Sequence, residues 1–282
     1  MTQKKLFLIL LISFLGQASA QEACGPISST VVSNALRLSS FICEKKTTGS
    51  CEYEECLGKI SGYSKPVLMM LPPSMTSVRV HFHGHKLNVF PEYDKNLKSM
   101  VKAFGLEDDI CQSSEAVIFP ESSGKCADYD LELKDPANFK RFFAGINSVT
   151  GNHLKEMPVH VSAHSGGGRT VGRMLEAGVK VDEVTIFDGI YSEALKNQIK
   201  TWYKREDGQL NLHSIKGQSP ANYVAVMVKE LDLKLTETNP TIQQIPYKKS
   251  VGPRIRVLNR ESGSDTAIKA HYDIVSQTWG PN

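Results

Sequence analysis

The chain has 282 residues, with 33 Lys and Arg against 30 Asp and Glu, and 40% of it is hydrophobic. That near balance gives no basic field for a nucleic acid or an anionic membrane, and the length suits one sizeable α/β domain with an ample core.

Residues 1–20 read as a secretory signal peptide: Lys4 and Lys5 start it, Leu6 to Leu15 form its apolar stretch, and Ala18-Ser19-Ala20 form its cleavage site. The apolar run is too short to span a bilayer, so no stable membrane anchor is expected. The expected location is secreted or periplasmic, with the cut after Ala20. Removing the leader takes two lysines away and brings the chain still closer to neutrality.

The 6 cysteines, Cys24, Cys43, Cys51, Cys56, Cys111 and Cys126, imply disulfides behind such a leader. Cys111 and Cys126 bracket the strand-like Ala116-Val117-Ile118-Phe119, so we expect them to pair. Cys24, Cys43, Cys51 and Cys56 then allow three connectivities. Residues 21–65 carry these four and little apolar periodicity apart from a helix-like stretch at Val31 to Ile42. They read as a disulfide-stapled N-terminal extension, followed by a catalytic domain over 66–282.

From Val67 onward, strand-like and helix-like runs alternate. Ser77 to Phe82 reads as a strand, Asn96 to Phe104 as a helix, Ala116 to Phe119 as a strand and Pro136 to Val149 as a helix. Val159 to Ser162 is a strand, Arg169 to Ala177 a helix, Val184 to Phe187 a strand and Ser192 to Arg205 a helix. Ala221 to Lys229 is ambiguous, Arg254 to Leu258 reads as a strand, and Ala270 to Thr278 as a last helix. This alternation is the pattern of an α/β fold with a mostly parallel central sheet and helices on both faces.

Between the Val159 strand and the Arg169 helix lies Ala163-His164-Ser165-Gly166-Gly167-Gly168. A serine between small residues at a strand-to-helix turn meets the steric demand of a nucleophile elbow, whose strained residue tolerates only small neighbours. Alanine replaces the usual first glycine and keeps that logic. The blander reading is a serine that merely caps the helix. A phosphate cradle would want Gly-Lys-Ser/Thr, and a dinucleotide site G-x-G-x-x-G; neither is present.

Asp188 ends the Val184 strand, and His271 opens the last helix. The order Ser165, Asp188, His271, with the strand and helix succession from Val67 to Asn282, resembles the α/β-hydrolase superfamily. So does Val78-Arg79-Val80-His81-Phe82-His83-Gly84-His85, which is similar to the strand and His-Gly turn that supplies an oxyanion hole in many α/β-hydrolases.

The resemblance implies a serine hydrolase acting on a small-molecule ester or acyl substrate. Ser165, His271 and Asp188 would be catalytic, the backbone N–H of Gly84 or His85 together with that of Gly166 would form the oxyanion hole, and no cofactor or metal would be used. Many family members place the acid one strand later, but Asn211 to Gly217 offers no carboxylate, and Glu261 and Asp265 stand in reserve.

Three alternatives remain. The same triad serves an amidase or peptidase. His81, His83 and His85 alternate as in an H-x-H metal site of a metal-dependent hydrolase. A hydrolase-like fold can also be a non-catalytic binding module. Tyr191 to Glu206, with Trp202 and Tyr203, is a candidate lid.

Overall fold

The structure is a computed structural model that describes residues 41–48, 51–60, 62–84, 97–122, 129–150, 156–215 and 218–231, and the backbone of 255–260. The chain divides into two compact units, Met1–Ala35 and Leu36–Asn282, and every described residue lies in the second. His85, Glu261, Asp265 and His271 lie outside the described residues, as do the expected last helix at Ala270 to Thr278 and the Cys111–Cys126 pairing.

The strands are β1 Phe41–Thr48, β2 Cys51–Gly58, β3 Val67–Leu71, β4 Ser77–Phe82, β5 Glu115–Pro120, β6 Val159–His164, β7 Glu183–Phe187, β8 Gln209–Ile215 and β9 Ile255–Arg260. They form one sheet in the order β1-β2-β3-β5-β4-β6-β7-β8-β9. β1, β2 and β3 run antiparallel to their neighbours, and every pairing from β5 to β9 is parallel.

Part of the segment read as an extension therefore belongs to the sheet, and Phe41 and Ile42, given to a helix-like stretch above, lie in β1. Cys43 and Cys56 face each other in the β1–β2 register and are bridged, with Cα atoms 4.0 Å apart. Cys51 is itself disulfide-bonded, and Cys24 lies outside the described residues. Closing a loop with a sequence separation of 13 stabilises a chain by about 2–4 kcal/mol.

The helices are α1 Leu97–Ala103, α2 Leu106–Ser113, α3 Asp130–Leu133, α4 Pro136–Val149, α5 Gly168–Glu176, α6 Glu193–Arg205 and α7 Ser219–Glu230. Local chemistry sets their starts. The Asp135 carboxylate accepts from Ala137 N at 2.8 Å with Pro136 in the first turn of α4, and the Ser192 hydroxyl accepts from Leu195 N at 3.2 Å to cap α6.

Alternation along the strands sorts their side chains onto two faces. Val78, Val80, Ile118, Val161, Ala163, Val184, Ile186 and Leu212 pack under α4, α5, α6 and α7 through Phe142, Met174, Ile199, Trp202 and Met227. On the other face, Val117, Phe119 and Phe187 meet Met100 and Val101 of α1, Phe104, and Ile110 of α2. Each such side chain, fully buried, contributes about 1.5–3 kcal/mol.

The candidate lid is part of this core cover: Leu195, Lys196, Ile199 and Trp202 bury one face of α6. Lys196 keeps its charge there by reaching Glu193 at 2.7 Å and Glu230 at 2.9 Å.

The α1–α2 face is unusually polar at the amino ends of β4 to β7. Buried Arg79 holds Glu115 at 2.5 Å and Glu183 at 3.3 Å, while Ser77 Oγ donates to Glu115 at 3.1 Å and the His160 ring also bonds Glu115. Burial alone would push the Glu115 carboxyl up, but the Arg79 charge and the His160 hydrogen bond outweigh it and hold the group at about 2. Its ordinary value is 4.5, and a depressed folded-state value makes the carboxylate's contribution complete above that value. The contribution is lost as pH falls from 4.5 toward about 2.

Glu115→Gln leaves Arg79 partly uncompensated and should cost about 3–5 kcal/mol in urea unfolding at neutral pH. It should also flatten the acid limb of the stability curve. A loss under about 1 kcal/mol, within ordinary surface effects, would refute the coupling.

Candidate active site

Chain order reverses beside β4: the chain moves out to β5 and returns to β6 on the other side of β4. Ligands of open α/β sheets settle outside the carboxyl ends of the strands at such a switch point. Ser165 follows β6 there, between the exit of β4 at His83-Gly84 and the exit of β7 at Asp188.

The turn has the backbone an elbow requires. His164 is extended at φ −111, Ser165 is left-handed at φ 52, and the helical conformation follows at Gly167 and Gly168. A left-handed non-glycine residue costs roughly 1–2 kcal/mol, so neighbouring contacts must hold Ser165 in place.

The neighbours explain the small residues. A side chain on Gly167 would run into the Phe82 and His83 carbonyl oxygens, and a Cβ on Gly84 would lie 2.5 Å from the Ser165 Cβ. The His-Gly turn therefore lies directly against the serine. Gly166, the expected second oxyanion donor, follows Ser165 in the short 3₁₀ turn Ser165–Gly167, where a helix leaves its first N–H groups to other partners.

Asp188 is also left-handed, at φ 44, and 1% exposed. Its own N–H donates to the His213 carbonyl at 2.7 Å, and its Oδ1 accepts from Ile215 N at 3.2 Å, so β8 holds both the backbone and the carboxylate of this residue. A Cβ on Gly189 would lie 2.8 Å from the Ser165 carbonyl oxygen, which places the Asp188-Gly189 turn against the elbow.

The histidines around the serine are built into the sheet. Ring nitrogen Nδ1 of His81 lies 2.9 Å from Ser162 Oγ, and its ring stacks on Phe119 at 5.2 Å. Burial, then the neighbouring His83 and Arg79, push the His81 imidazole well below its ordinary value of 6.5, so it is neutral. His83 bonds the Gly84 carbonyl through Nδ1 at 2.8 Å and receives Ser122 N–H on Nε2 at 3.0 Å. The ring of His164 meets Phe104 edge-on at 5.5 Å.

Among the described residues no group of three or more His, Cys, Asp or Glu is placed to hold a metal ion. None of their helices is long and apolar enough to cross a membrane.

The structure brings together Ser165, Gly166, Gly84 and Asp188. Tyr129 joins them unannounced by the sequence: its hydroxyl accepts from His83 N at 3.1 Å and donates to the Pro120 carbonyl at 3.2 Å. A tyrosine before a four-residue helix carries no local signal of such a role, because its partners are distant in sequence.

The strand order, the strained serine and the adjoining His-Gly turn give the chain an α/β-hydrolase fold. No family model matches the chain, and no curated protein matches it. Solved structures similar to it include dienelactone hydrolase from Anabaena variabilis, with TM-score 0.44 and 11% identity, covering 86% of this chain and 97% of that one. An α/β serine hydrolase homologue from Coxiella burnetii has TM-score 0.45 and 9% identity, covering 89% and 98%. Acetyl xylan esterase 1 from Thermoanaerobacterium has TM-score 0.42 and 13% identity, covering 86% of each chain.

Proposed function

We propose that the chain is a secreted serine hydrolase that cleaves carboxylic esters through an acyl-enzyme. The observation that carries this reading is Ser165 held at φ 52 with the Gly84 turn against its Cβ. A serine kept in a costly conformation beside a backbone turn has a chemical use that a helix cap does not require.

In this mechanism Ser165 Oγ attacks the ester carbonyl carbon while His271 takes its proton. The carbonyl oxygen becomes an oxyanion received by the N–H groups of Gly166 and of the Gly84-His85 turn. The tetrahedral intermediate collapses, His271 gives the proton to the leaving alkoxide, and the acyl group stays on Ser165. Water, deprotonated by His271, then attacks the acyl carbon; the second tetrahedral intermediate breaks its bond to Ser165 Oγ, which takes that proton back from His271, and the acid is released. Asp188 holds the His271 tautomer and supports its charged form, and no step calls on a metal or organic cofactor.

Of the histidines near the serine, His81 and His83 are committed to hydrogen bonds within the sheet, and the chain order Ser165, Asp188, His271 supports His271 as the base. The same commitment weakens the metal-dependent reading, because both ring nitrogens of His83 are engaged. Export with cleavage after Ala20 accords with the Cys43–Cys56 bridge.

A fluorophosphonate probe should add to the exported protein at one site, mapped by mass spectrometry to Ser165, and p-nitrophenyl esters should compete with it. Intact mass should place the first residue at Gln21. Labelling elsewhere, or none, would overturn the serine assignment; competition by peptides but not by esters would move the substrate to amides.

A further inference from the structure

β1 has no core face. Ile42, Cys43, Glu44 and Lys45 are exposed in succession, so both sides of the strand meet solvent. Ile42, 76% exposed, stands in register with Leu57, itself 38% exposed. What holds such a strand is its pairing with β2 and the Cys43–Cys56 bridge. Among the described residues no strand lies on its other edge, and a row of backbone groups left there is a template for another strand.

The bridge identifies the groups on that edge. Opposed residues of an antiparallel ladder alternate between hydrogen-bonded pairs, with Cα atoms about 5.5 Å apart, and non-hydrogen-bonded pairs at about 4.5 Å. Cys43 and Cys56 have Cα atoms 4.0 Å apart. Theirs is therefore a non-hydrogen-bonded pair, and the Cys43 N–H and C=O point away from β2. Alternation along the strand gives Lys45 and Thr47 the same outward direction, while Ile42, Glu44 and Lys46 bond β2.

Any strand added here must set its own outward residues against Cys43, Lys45 and Thr47. For a second, antiparallel copy of β1, that parity permits a two-fold axis at Glu44, at Lys45 or at Lys46. An axis at Glu44 sets Glu44 against Glu44, and one at Lys46 sets Lys46 against Lys46. Only the axis at Lys45 sets the Glu44 of each copy opposite the Lys46 of the other. Glu44 and Lys46 share one face and already lie 2.8 Å apart, so the four side chains form a square of alternating charge. Lys45 then faces Lys45, with Glu54 in register beside each to offset the charge.

We propose that β1 is a dimer interface, at which a second copy of this chain adds its own β1 antiparallel about a two-fold axis at Lys45. The charges select that occupant. Lysines on an edge turn foreign strands away, whereas Glu44 and Lys46 complement their own copies, so the residues that reject other strands accept this one. The Cys43–Cys56 bridge holds β1 extended before the copies meet, which lowers the ordering cost of association. A two-fold contact closes on itself and stops at two copies.

Sedimentation of the exported, disulfide-intact protein should show a dimer. Glu44→Lys and Lys46→Glu each convert both facing pairs to like charges and should weaken the dimer by about tenfold or more. The two side chains are 55% and 39% exposed, so the fold should tolerate either change. In an equal mixture of these two variants every facing pair is again opposite, and a heterodimer should form about as tightly as the wild-type dimer. Lys45→Pro removes an N–H that faces the free edge, so it should abolish the dimer and leave the β1–β2 pairing intact.

A wild-type chain that stays monomeric at about 100 μM, where even a weak dimer is populated, overturns the proposal, whether residues ahead of β1 or its own charges shield the edge. So does a dimer that these substitutions leave unweakened, because its interface then lies elsewhere. A mixture that fails to recover also overturns it, because the loss is then not one of matched charges. The charge exchange decides the matter even if Lys45→Pro does not fold.

Discussion

Ser165→Ala is expected to lower ester turnover by about 10⁶-fold, the scale on which removing the nucleophile disables a serine-triad enzyme, and to abolish fluorophosphonate labelling. The fold should not notice. The strain at φ 52 belongs to the backbone and Cβ, which alanine retains, so the thermal midpoint should be nearly unchanged. Ser165→Gly separates the two properties further: glycine adopts the left-handed conformation without penalty, so this variant should be equally inactive and yet more stable by about 1 kcal/mol. Turnover in either variant within tenfold of wild type would eliminate Ser165 as nucleophile. A glycine variant clearly less stable than the alanine variant would refute the stored strain.

What the sequence makes legible here is what local chemistry dictates. Pro136 to Val149 has the expected bounds, because Asp135 and Pro136 start it and spacing chooses its buried face. Ser77 to Phe82 is likewise as expected. The elbow is legible because its steric demand falls on residues within three positions of Ser165.

The antiparallel start of the sheet is less visible. Val67-Leu68-Met69-Met70 is buried on both faces and has no alternation to read, while the edge strand β1 and its neighbour β2 are charged and their pattern resembles a surface loop. Ala221 to Lys229 is ambiguous in sequence, and it lies within α7, Ser219–Glu230, whose buried Val224, Met227 and Val228 make it a covering helix.

The polar face escapes for a different reason. Arg79, Glu115, His160 and Glu183 lie in four strands, and only the parallel register brings them together. His81, His83 and His85 resemble an H-x-H metal site because alternation on a strand is visible from sequence, whereas the Ser162, Ser122 and Gly84 partners that occupy His81 and His83 are not.

Asp188→Asn is expected to cost on the order of 10⁴ in turnover while the protein remains folded. The amide oxygen of asparagine can still accept from Ile215 N, and the residue's own N–H can still donate to His213, so the left-handed turn keeps the bonds that hold it. What disappears is the negative charge and, with it, the preference for the His271 tautomer that can accept the Ser165 proton. In a site 1% exposed, water cannot replace that charge. From Gln209 to Lys229 the chain has no carboxylate, so no acid on β8 or the segment after it can stand in. The comparison is therefore with Glu261→Gln and Asp265→Asn, each expected to reduce kcat less than tenfold. Rates on p-nitrophenyl esters, normalised to titrated Ser165, decide between them. If Asp188→Asn stays within tenfold of wild type and either of the others falls by 10³ or more, in the range that loss of a triad member produces, the acid belongs to the segment after β9 and Asp188 serves only to shape the turn beside the nucleophile.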